Sequence, residues 1–398
     1  MPDWRDRLRR AAQEIRGDLR RAGEFAGVLD ASSPHELIPY RGYGNRRRLL
    51  VHGRAVHAAN VRQSTAADTI WHNIVNTYKR IDSRPLPEAR IAVTVCGTEH
   101  EITADDEGFF RHWFDVPAHQ RLDEPWHSVR LRLLAPLRAD QPDVRATGVA
   151  RIPDAAITFG VISDLDDTVI QSRIANFLQA VRTVMLGNAR TRLPFPGVAA
   201  FYQALERGGD GARRNPIFYV SSSPWNIYDL IAEFMELQRI PDGPICLRDW
   251  DIDFSALAPG RHRAHKEPLI REILDTYPAI PFILIGDSSQ HDPEIYRAII
   301  GSYPTRILAI YIRNVDPNPE RVASIRRLAD EVLAVGSSLV LTDDTYAAAR
   351  HAAAQGWIAE SALPDIDIEK RADAGETTTK ADAPGLGDEP PAPTVVVE

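Results

Sequence analysis

Five apolar runs in the second half of the chain set its reading: AITFGVIS (156–163), PIFYVS (216–221), FILIG (282–286), ILAIYI (307–312) and SLVLT (338–342). They are continuous rather than alternating, the pattern of parallel strands buried on both faces. Helical spacing fills the gaps at about 197–208, 225–237, 266–277, 292–301 and 319–332, which supplies the crossovers. The pattern predicts an α/β domain over 151–360, a doubly wound and mostly parallel sheet whose ligands should lie beyond the C-terminal strand ends. The first half reads differently. RRLLVHGRAV (47–56), ARIAVTVCG (89–97), FFRHWFDV (109–116) and SVRLRLLA (128–135) alternate apolar and polar positions, with a turn at 105–108. A helical stretch at about 66–80 interrupts them. This predicts a small β-rich domain over 36–150, read as a β-sandwich.

The two ends add less. In residues 1–30, Trp4, Leu8, Ala11, Ala12, Ile15 and Leu19 recur at helical spacing, with arginines on much of the other face. Such a helix either lies on an anionic lipid surface or docks on its own protein, and Asp3, Asp6, Glu14 and Asp18 dilute its basic charge. Residues 366–398 are rich in acidic, Thr, Ala and Pro residues and read as a disordered tail.

Composition narrows the class. A chain of 398 residues accommodates two domains, and 44% hydrophobic with 26% charged residues is ordinary globular material. There is no apolar run of about 18 residues, the length that spans a bilayer. The N-terminus MPDWRDRLRR lacks the apolar stretch of a secretory signal. Cys96 and Cys246 fall in different predicted domains, which supports neither a disulfide framework nor a thiolate metal site and fits a reducing cytoplasm. The net charge of −8 argues against broad nucleic-acid binding, so no nucleic-acid partner is expected, and no obligate protein partner is readable.

Candidate chemistry concentrates at the predicted strand ends. In VISDLDDTVIQS (161–172), Asp164 and Asp166 are two apart and point the same way from an extended segment. Two carboxylates at a strand tip suit a hard cation and a phosphate, because Mg²⁺ prefers oxygen ligands and offsets the repulsion between carboxylate and phosphate. Asp164 then suits a nucleophile and Asp166 an acid for the leaving oxygen, with Thr168 fixing the loop. Taken alone, the motif reads equally as a turn or a Ca²⁺ loop. PIFYV runs into Ser221, Ser222 and Ser223, whose hydroxyl and amide groups can hold phosphate oxygens; an ordinary helix cap before WNIYDLIAEF is the plainer reading. Lys266 opens a predicted helix, an unfavourable place for a cation unless an anion faces it. Asp287 and Asp292 follow the FILIG strand, where they can complete a Mg²⁺ shell; Asp292 before Pro293 also reads as a helix cap. Thr342-Asp343-Asp344-Thr345 lacks the D-x-D spacing and reads as structural.

In order and context these four pieces resemble the motifs of the haloacid-dehalogenase superfamily. The surrounding text, SDLDDTVIQS, FYVSSSPWNIYDLIAEFM, HKEPLIREIL and LIGDSSQHDPEIY, is similar to the actin-patch-type phosphatidate phosphatases over roughly 155–355. YRGYGNRRRLLVHGRAV (40–56) also resembles the region preceding this domain in bacterial members. The resemblance implies a haloacid-dehalogenase-like fold and Mg²⁺-dependent cleavage of phosphatidate to diacylglycerol and phosphate. It implies Asp164 as nucleophile and metal ligand and Asp166 as acid/base with its carbonyl on the metal. Ser221 is the implied phosphoryl-contacting hydroxyl, Lys266 the charge-balancing lysine, Asp287 the second metal acid and Asp292 its support. Ser289 departs from the family text, where glycine is expected. A phospholipid substrate brings peripheral membrane contact into the expectation. Arg41, Arg46, Arg47 and Arg48 fit lipid headgroups or a solvated loop, and the run from Phe177 to Leu186 fits an apolar cap or a core helix. A phosphatase of soluble phosphomonoesters or polynucleotide ends uses the same chemistry, and a non-catalytic lipid- or protein-binding scaffold is the alternative of another class.

Overall fold

The structure, a computed structural model, describes residues 33–58, 84–123, 125–165, 196–248, 261–289, 291–315 and 318–374. The expected helices at 1–30 and 66–80, the run from Phe177 to Leu186, and Asp166 and Thr168 lie outside the described residues.

The first half forms two sheets. In one, the long strand β3 (Arg48–His57) pairs antiparallel with β1 (His35–Pro39), β4 (Arg84–Pro85) and β7 (Phe109–Asp115). The other runs in the order β2 (Gly42–Tyr43), β9 (Arg145–Arg151), β8 (Trp126–Ala135), β5 (Arg90–Val95), β6 (Thr98–Thr103). Leu49, Val51, Phe110 and Phe114 from the first sheet share one buried cluster with Ile91, Val93, Leu131 and Leu133 from the second. Alternation therefore does what it predicts in the long strands: alternate residues of β3, β5, β7 and β8 enter a common core between two sheets. The strand expected to reach Gly97 stops at Val95, because Cys96 and Gly97 both take positive φ (50° and 81°). That is the paired left-handed geometry of a tight hairpin turn, which returns the chain into β6.

The second half is a six-stranded parallel sheet in the order β12 (Ile245–Arg248), β11 (Ile217–Pro224), β10 (Gly160–Asp164), β13 (Phe282–Asp287), β14 (Ile307–Arg313), β15 (Ser338–Thr342). The connecting helices are α1 (Val198–Arg207), α2 (Tyr228–Leu237), α3 (Arg261–Thr276), α4 (Asp292–Ser302) and α5 (Pro319–Leu333), followed by α6 (Thr345–Ala354) and α7 (Leu363–Ala374). Adjacent residues in each strand go to opposite faces. Val161, Tyr219, Ile283, Tyr311 and Val340 pack with α1, α2 and α6, while Ile162, Phe218, Leu284, Ile310 and Leu339 pack with α3, α4 and α5. Covering both faces is why these strands read as continuous apolar runs. The chain moves outward from β10 to β12, then jumps to β13 on the other side of β10. Strand order therefore reverses between β10 and β13, and the crevice at that reversal is where sheets of this type bind ligands.

Three expectations need correction. The tail read as starting at 366 is helical to Ala374, and Ile366 is fully buried against the α/β core. Lys266 does not open a helix: α3 starts at Arg261, so the macrodipole argument does not apply to it. In the Tyr40–Arg48 segment, read as meeting headgroups or solvent, Tyr40, Gly42, Tyr43 and Gly44 are buried, Arg41 pairs with Asp242, and Arg48 lies over the Trp113 ring. Only Arg46 and Arg47 of its arginines are exposed.

Candidate active site

β10 ends at Asp164, and its register sets that residue beside Val220 of β11. Ser221 thus follows on the neighbouring strand tip, and the Leu165 N–H donates to the Val220 carbonyl at 3.2 Å, holding the two tips together. On the other side β13 ends at Asp287. The carboxylates of Asp164, Asp287 and Asp292, all buried, offer ligand atoms within 4.8 Å of one another. Lys266 reaches in from α3, with Nζ 2.7 Å from Asp164 Oδ1 and 3.1 Å from Asp292 Oδ1. Its side chain is only 2% exposed, far below what an unpaired ammonium tolerates. The two carboxylates are the anionic partners that the sequence alone could not locate.

Asp292 is the hub. Its Oδ2 accepts the Asp287 N–H at 3.3 Å, fixing the strand end, while Oδ1 faces Lys266. It does not cap its helix; His291 holds that position and makes no side-chain cap. Burial raises the Asp292 carboxyl, Lys266 pulls it down, and Asp287 pushes it up again. Gly286 is required by this approach: a Cβ there would stand 2.6 Å from Asp292 Oδ2 and 2.8 Å from its Cβ. Asp287 is held in turn by Ser289, whose N–H and hydroxyl donate to Oδ1 at 2.6 and 2.7 Å. A glycine at 289 would supply only the first of these. Behind Asp164, the Ser163 hydroxyl donates to the Asp164 carbonyl at 3.1 Å and lies 2.7 Å from the Tyr202 hydroxyl.

In the serine loop, Ser221 is buried and its Oγ accepts the Ser223 N–H at 3.0 Å, a local turn of the side-chain-to-backbone type. Ser222 is half-buried and Ser223 is buried. Of the expected site residues, Asp164, Ser221, Ser222, Ser223, Lys266, Asp287 and Asp292 thus lie on neighbouring C-terminal tips of one sheet or on the helix facing them. Sequence reasoning missed Ser163, Tyr202, the supporting role of Ser289, and Arg321, which donates to the Ser288 carbonyl at 2.8 Å and pairs with Glu294. Tyr202 and Arg321 carry no spacing signal because they act across the fold, whereas Ser163 and Ser289 lie one and two residues from the aspartates they support. Among the described residues a cleft adjoins the carboxylates, walled by Phe201, Tyr202 and Tyr311. Asp344 lies on its rim, but caps α6 through the Ala347 N–H at 2.9 Å and pairs with Lys370, in keeping with a structural reading of Asp343-Asp344.

The donor set fits a divalent cation. Three buried carboxylates lie together with the Lys266 ammonium against two of them, and a dication suits such a group of acidic oxygens. Oxygen-only ligands select a hard ion such as Mg²⁺ over the softer transition metals.

Together these features define a doubly wound α/β domain with a lysine-bridged carboxylate site at its topological reversal. The family model described as phosphatidate phosphatase APP1, catalytic domain, matches residues 159–314. Phosphatidate phosphatase APP1 of Saccharomyces cerevisiae is 32% identical over 155 residues, 39% of this chain and 25% of the relative. An uncharacterized protein of Schizosaccharomyces pombe is 28% identical over 160 residues, again 39% of this chain and 25% of the relative. The chain therefore spans about a quarter of the length of these relatives. A solved carbohydrate acetylesterase from Xanthomonas citri aligns at 11% identity over 87% of this chain and 76% of that one, with a TM-score of 0.28. That similarity is too low to add to the topology described above.

Proposed function

We propose that this protein is a Mg²⁺-dependent phosphatase of the haloacid-dehalogenase type that cleaves phosphatidate to diacylglycerol and phosphate. The observation that carries the reading is the Lys266 bridge between Asp164 and Asp292, with Asp287 in the same buried group. Asp164 attacks phosphorus through a carboxylate oxygen, a P–O bond forms, and the bond to the glycerol oxygen breaks. Asp166 donates the proton that the leaving oxygen requires. Asp166 then takes a proton from water as its oxygen attacks phosphorus, the Asp164–phosphorus bond breaks, and inorganic phosphate leaves with Asp164 restored. Lys266 pairs with the Asp164 carboxylate and orients it. Ser221, the Ser222 amide and the Ser223 hydroxyl bind the phosphoryl oxygens, and Thr168 steadies the loop that follows β10. Mg²⁺, held by Asp164, Asp287 and the Asp166 carbonyl with Asp292 in support, supplies charge neutralisation between carboxylate and phosphate.

The phosphatidate assignment rests on the match of residues 159–314 to the APP1 catalytic domain and on the yeast relative. A lipid substrate places the working protein at a membrane surface from the cytoplasmic side. The test is phosphate release from phosphatidate in mixed micelles, with and without Mg²⁺, beside a panel of soluble phosphomonoesters and polynucleotide ends, for wild type and Asp164→Asn. The expected result is Mg²⁺-dependent release, fastest on phosphatidate, that falls at least about a thousand-fold in the variant. Faster turnover of a soluble ester would move the substrate assignment. Release undiminished in Asp164→Asn, or absent from wild type on every substrate, would overturn the enzyme and leave a binding scaffold.

A further inference from the structure

Residues 40–45 join the β domain to the α/β domain, and Tyr40 and Arg41 contact Trp225 and Tyr228, which follow the serine loop. The Tyr40 ring stacks on Trp225 with centroids 4.8 Å apart and planes 10° from parallel, and its centroid lies 4.3 Å from that of Tyr228. His52 meets Trp225 edge-on at 5.0 Å. The Arg41 N–H donates to the Tyr228 hydroxyl at 2.8 Å, and the Arg41 guanidinium pairs with Asp242 at 2.9 Å. Trp225 directly follows Pro224, the last residue of the strand that ends in Ser221–Ser223. The aromatic group therefore fixes the exit of the serine loop.

The same segment holds the other side of the site. Tyr43, fully buried, donates its hydroxyl to Glu272 Oε1 at 2.5 Å, and Asn45 Nδ2 donates to the Thr276 carbonyl at 2.7 Å. Glu272 and Thr276 lie on α3, the helix that carries Lys266. One short strap thus grips both the phosphate loop and the lysine helix. Ser223 Oγ is buried without a hydrogen-bond partner, so this hydroxyl does not fix the loop. Binding groups of this kind lose most of their effect when displaced by about 1 Å, so their support belongs to the machinery.

We infer that Tyr40 is a positioning residue: its stack on Trp225 holds the Ser221–Ser223 loop in phosphate-binding geometry and makes the β domain part of the active site's frame. The inference rests on the phosphatase reading. The experiment compares full-length wild type with Tyr40→Phe, Tyr40→Leu and Val93→Ala. Each is assayed with Mg²⁺ and a soluble aryl phosphate for kcat and KM, with inorganic phosphate for its inhibition constant, and for melting temperature. Tyr40→Leu keeps apolar volume but loses the stack, and is expected to raise KM and the phosphate inhibition constant about tenfold or more. Tyr40→Phe keeps the ring and restores both. Val93→Ala, in the β-domain core away from the strap, lowers the melting temperature and leaves the inhibition constant in place. Tyr228→Phe removes only the hydroxyl that accepts the Arg41 N–H, and shifts the same constant in the same direction by less. A wild-type inhibition constant in Tyr40→Leu overturns the inference. So does an equal shift in Val93→Ala, or, where Tyr40→Leu does not fold, an unshifted Tyr228→Phe. Wild type that releases no phosphate defeats the phosphatase reading instead, which keeps the two failures apart.

Discussion

Lys266 has no ordinary reason to be buried. Its four-carbon stem could reach water from many points on α3, yet its ammonium sits between Asp164 and Asp292 at 2% exposure. Breaking such a buried group by deleting one partner costs about 3–5 kcal/mol, mostly because the charges left behind lose their counter-ion. Lys266→Met keeps the stem and removes the charge. In metal-free protein it leaves Asp164, Asp287 and Asp292 facing each other, and the melting temperature is expected to fall on the order of 10 °C. A dication replaces the lost charge, so Mg²⁺ should raise the melting temperature of the variant more than that of wild type. Thermal melts in EDTA and in millimolar Mg²⁺ read this directly, and an equal Mg²⁺ increment in both proteins would count against a metal at this cluster. The aspartate and serine candidates were legible because each closes an apolar strand or starts the stretch after one, whereas Lys266 was singled out by a helix start that the structure moves to Arg261. What holds them was not: Tyr202 and Arg321 act through contacts far along the chain, and no local pattern encodes such a contact.

Among the elements, legibility followed burial. β10, β11, β13, β14 and β15 are apolar on both faces and were readable from composition alone. β6 (TEHEIT) is exposed over half its length and shows little apolar signal, and β12 (ICLR) is a four-residue edge strand, so neither stood out. α6 (TYAAARHAAA) buries only alanines, which blur a helical stripe. The aromatic contact between β3 and the Trp225 turn was equally unreadable, and it carries a pH prediction. His52 is buried against Tyr40 and Trp225 and shares a 3.1 Å hydrogen bond between Nε2 and the Arg41 carbonyl. Burial lowers its pKa from 6.5 to about 4, the carbonyl bond pulls up, and Arg111 pushes down. The unfolded chain therefore takes up a proton as pH falls below 6.5, while the folded protein stays neutral until near 4. Stability from this group is complete above 6.5 and is lost across that window, up to about 3 kcal/mol. His35, also lowered by burial, acts with the same sign and remains in a His52 variant. Urea unfolding at pH 7 and pH 4.5 should show wild type losing about 2 kcal/mol more than His52→Gln. Parallel losses would mean that His52 is not buried as a neutral ring.

At the scale of the molecule the domain boundary is not an energetic boundary. Tyr43, Leu50 and Trp113 of the β half belong to the same buried cluster as α3, α4 and the α/β sheet, and Tyr40 belongs to the cluster on the opposite face. Tyr43 also shares Glu272 with Arg111, and Arg48 Nη2 donates to the Thr276 hydroxyl at 3.2 Å. Domains joined by a small polar contact unfold separately, whereas a shared apolar core couples them. Removing a fully buried aromatic side chain costs about 3–5 kcal/mol. If the halves were independent, Tyr43→Ala would shift one calorimetric transition and leave the other. Because the ring is embedded in a joint core, wild type should melt in a single transition, and Tyr43→Ala should move it as a whole by on the order of 10 °C. Scanning calorimetry decides between the two, and two endotherms of which only one responds would show that the β half is a passenger. A single shifting endotherm means that the two halves unfold as one cooperative unit, joined in part through the helix that carries both Glu272 and Lys266.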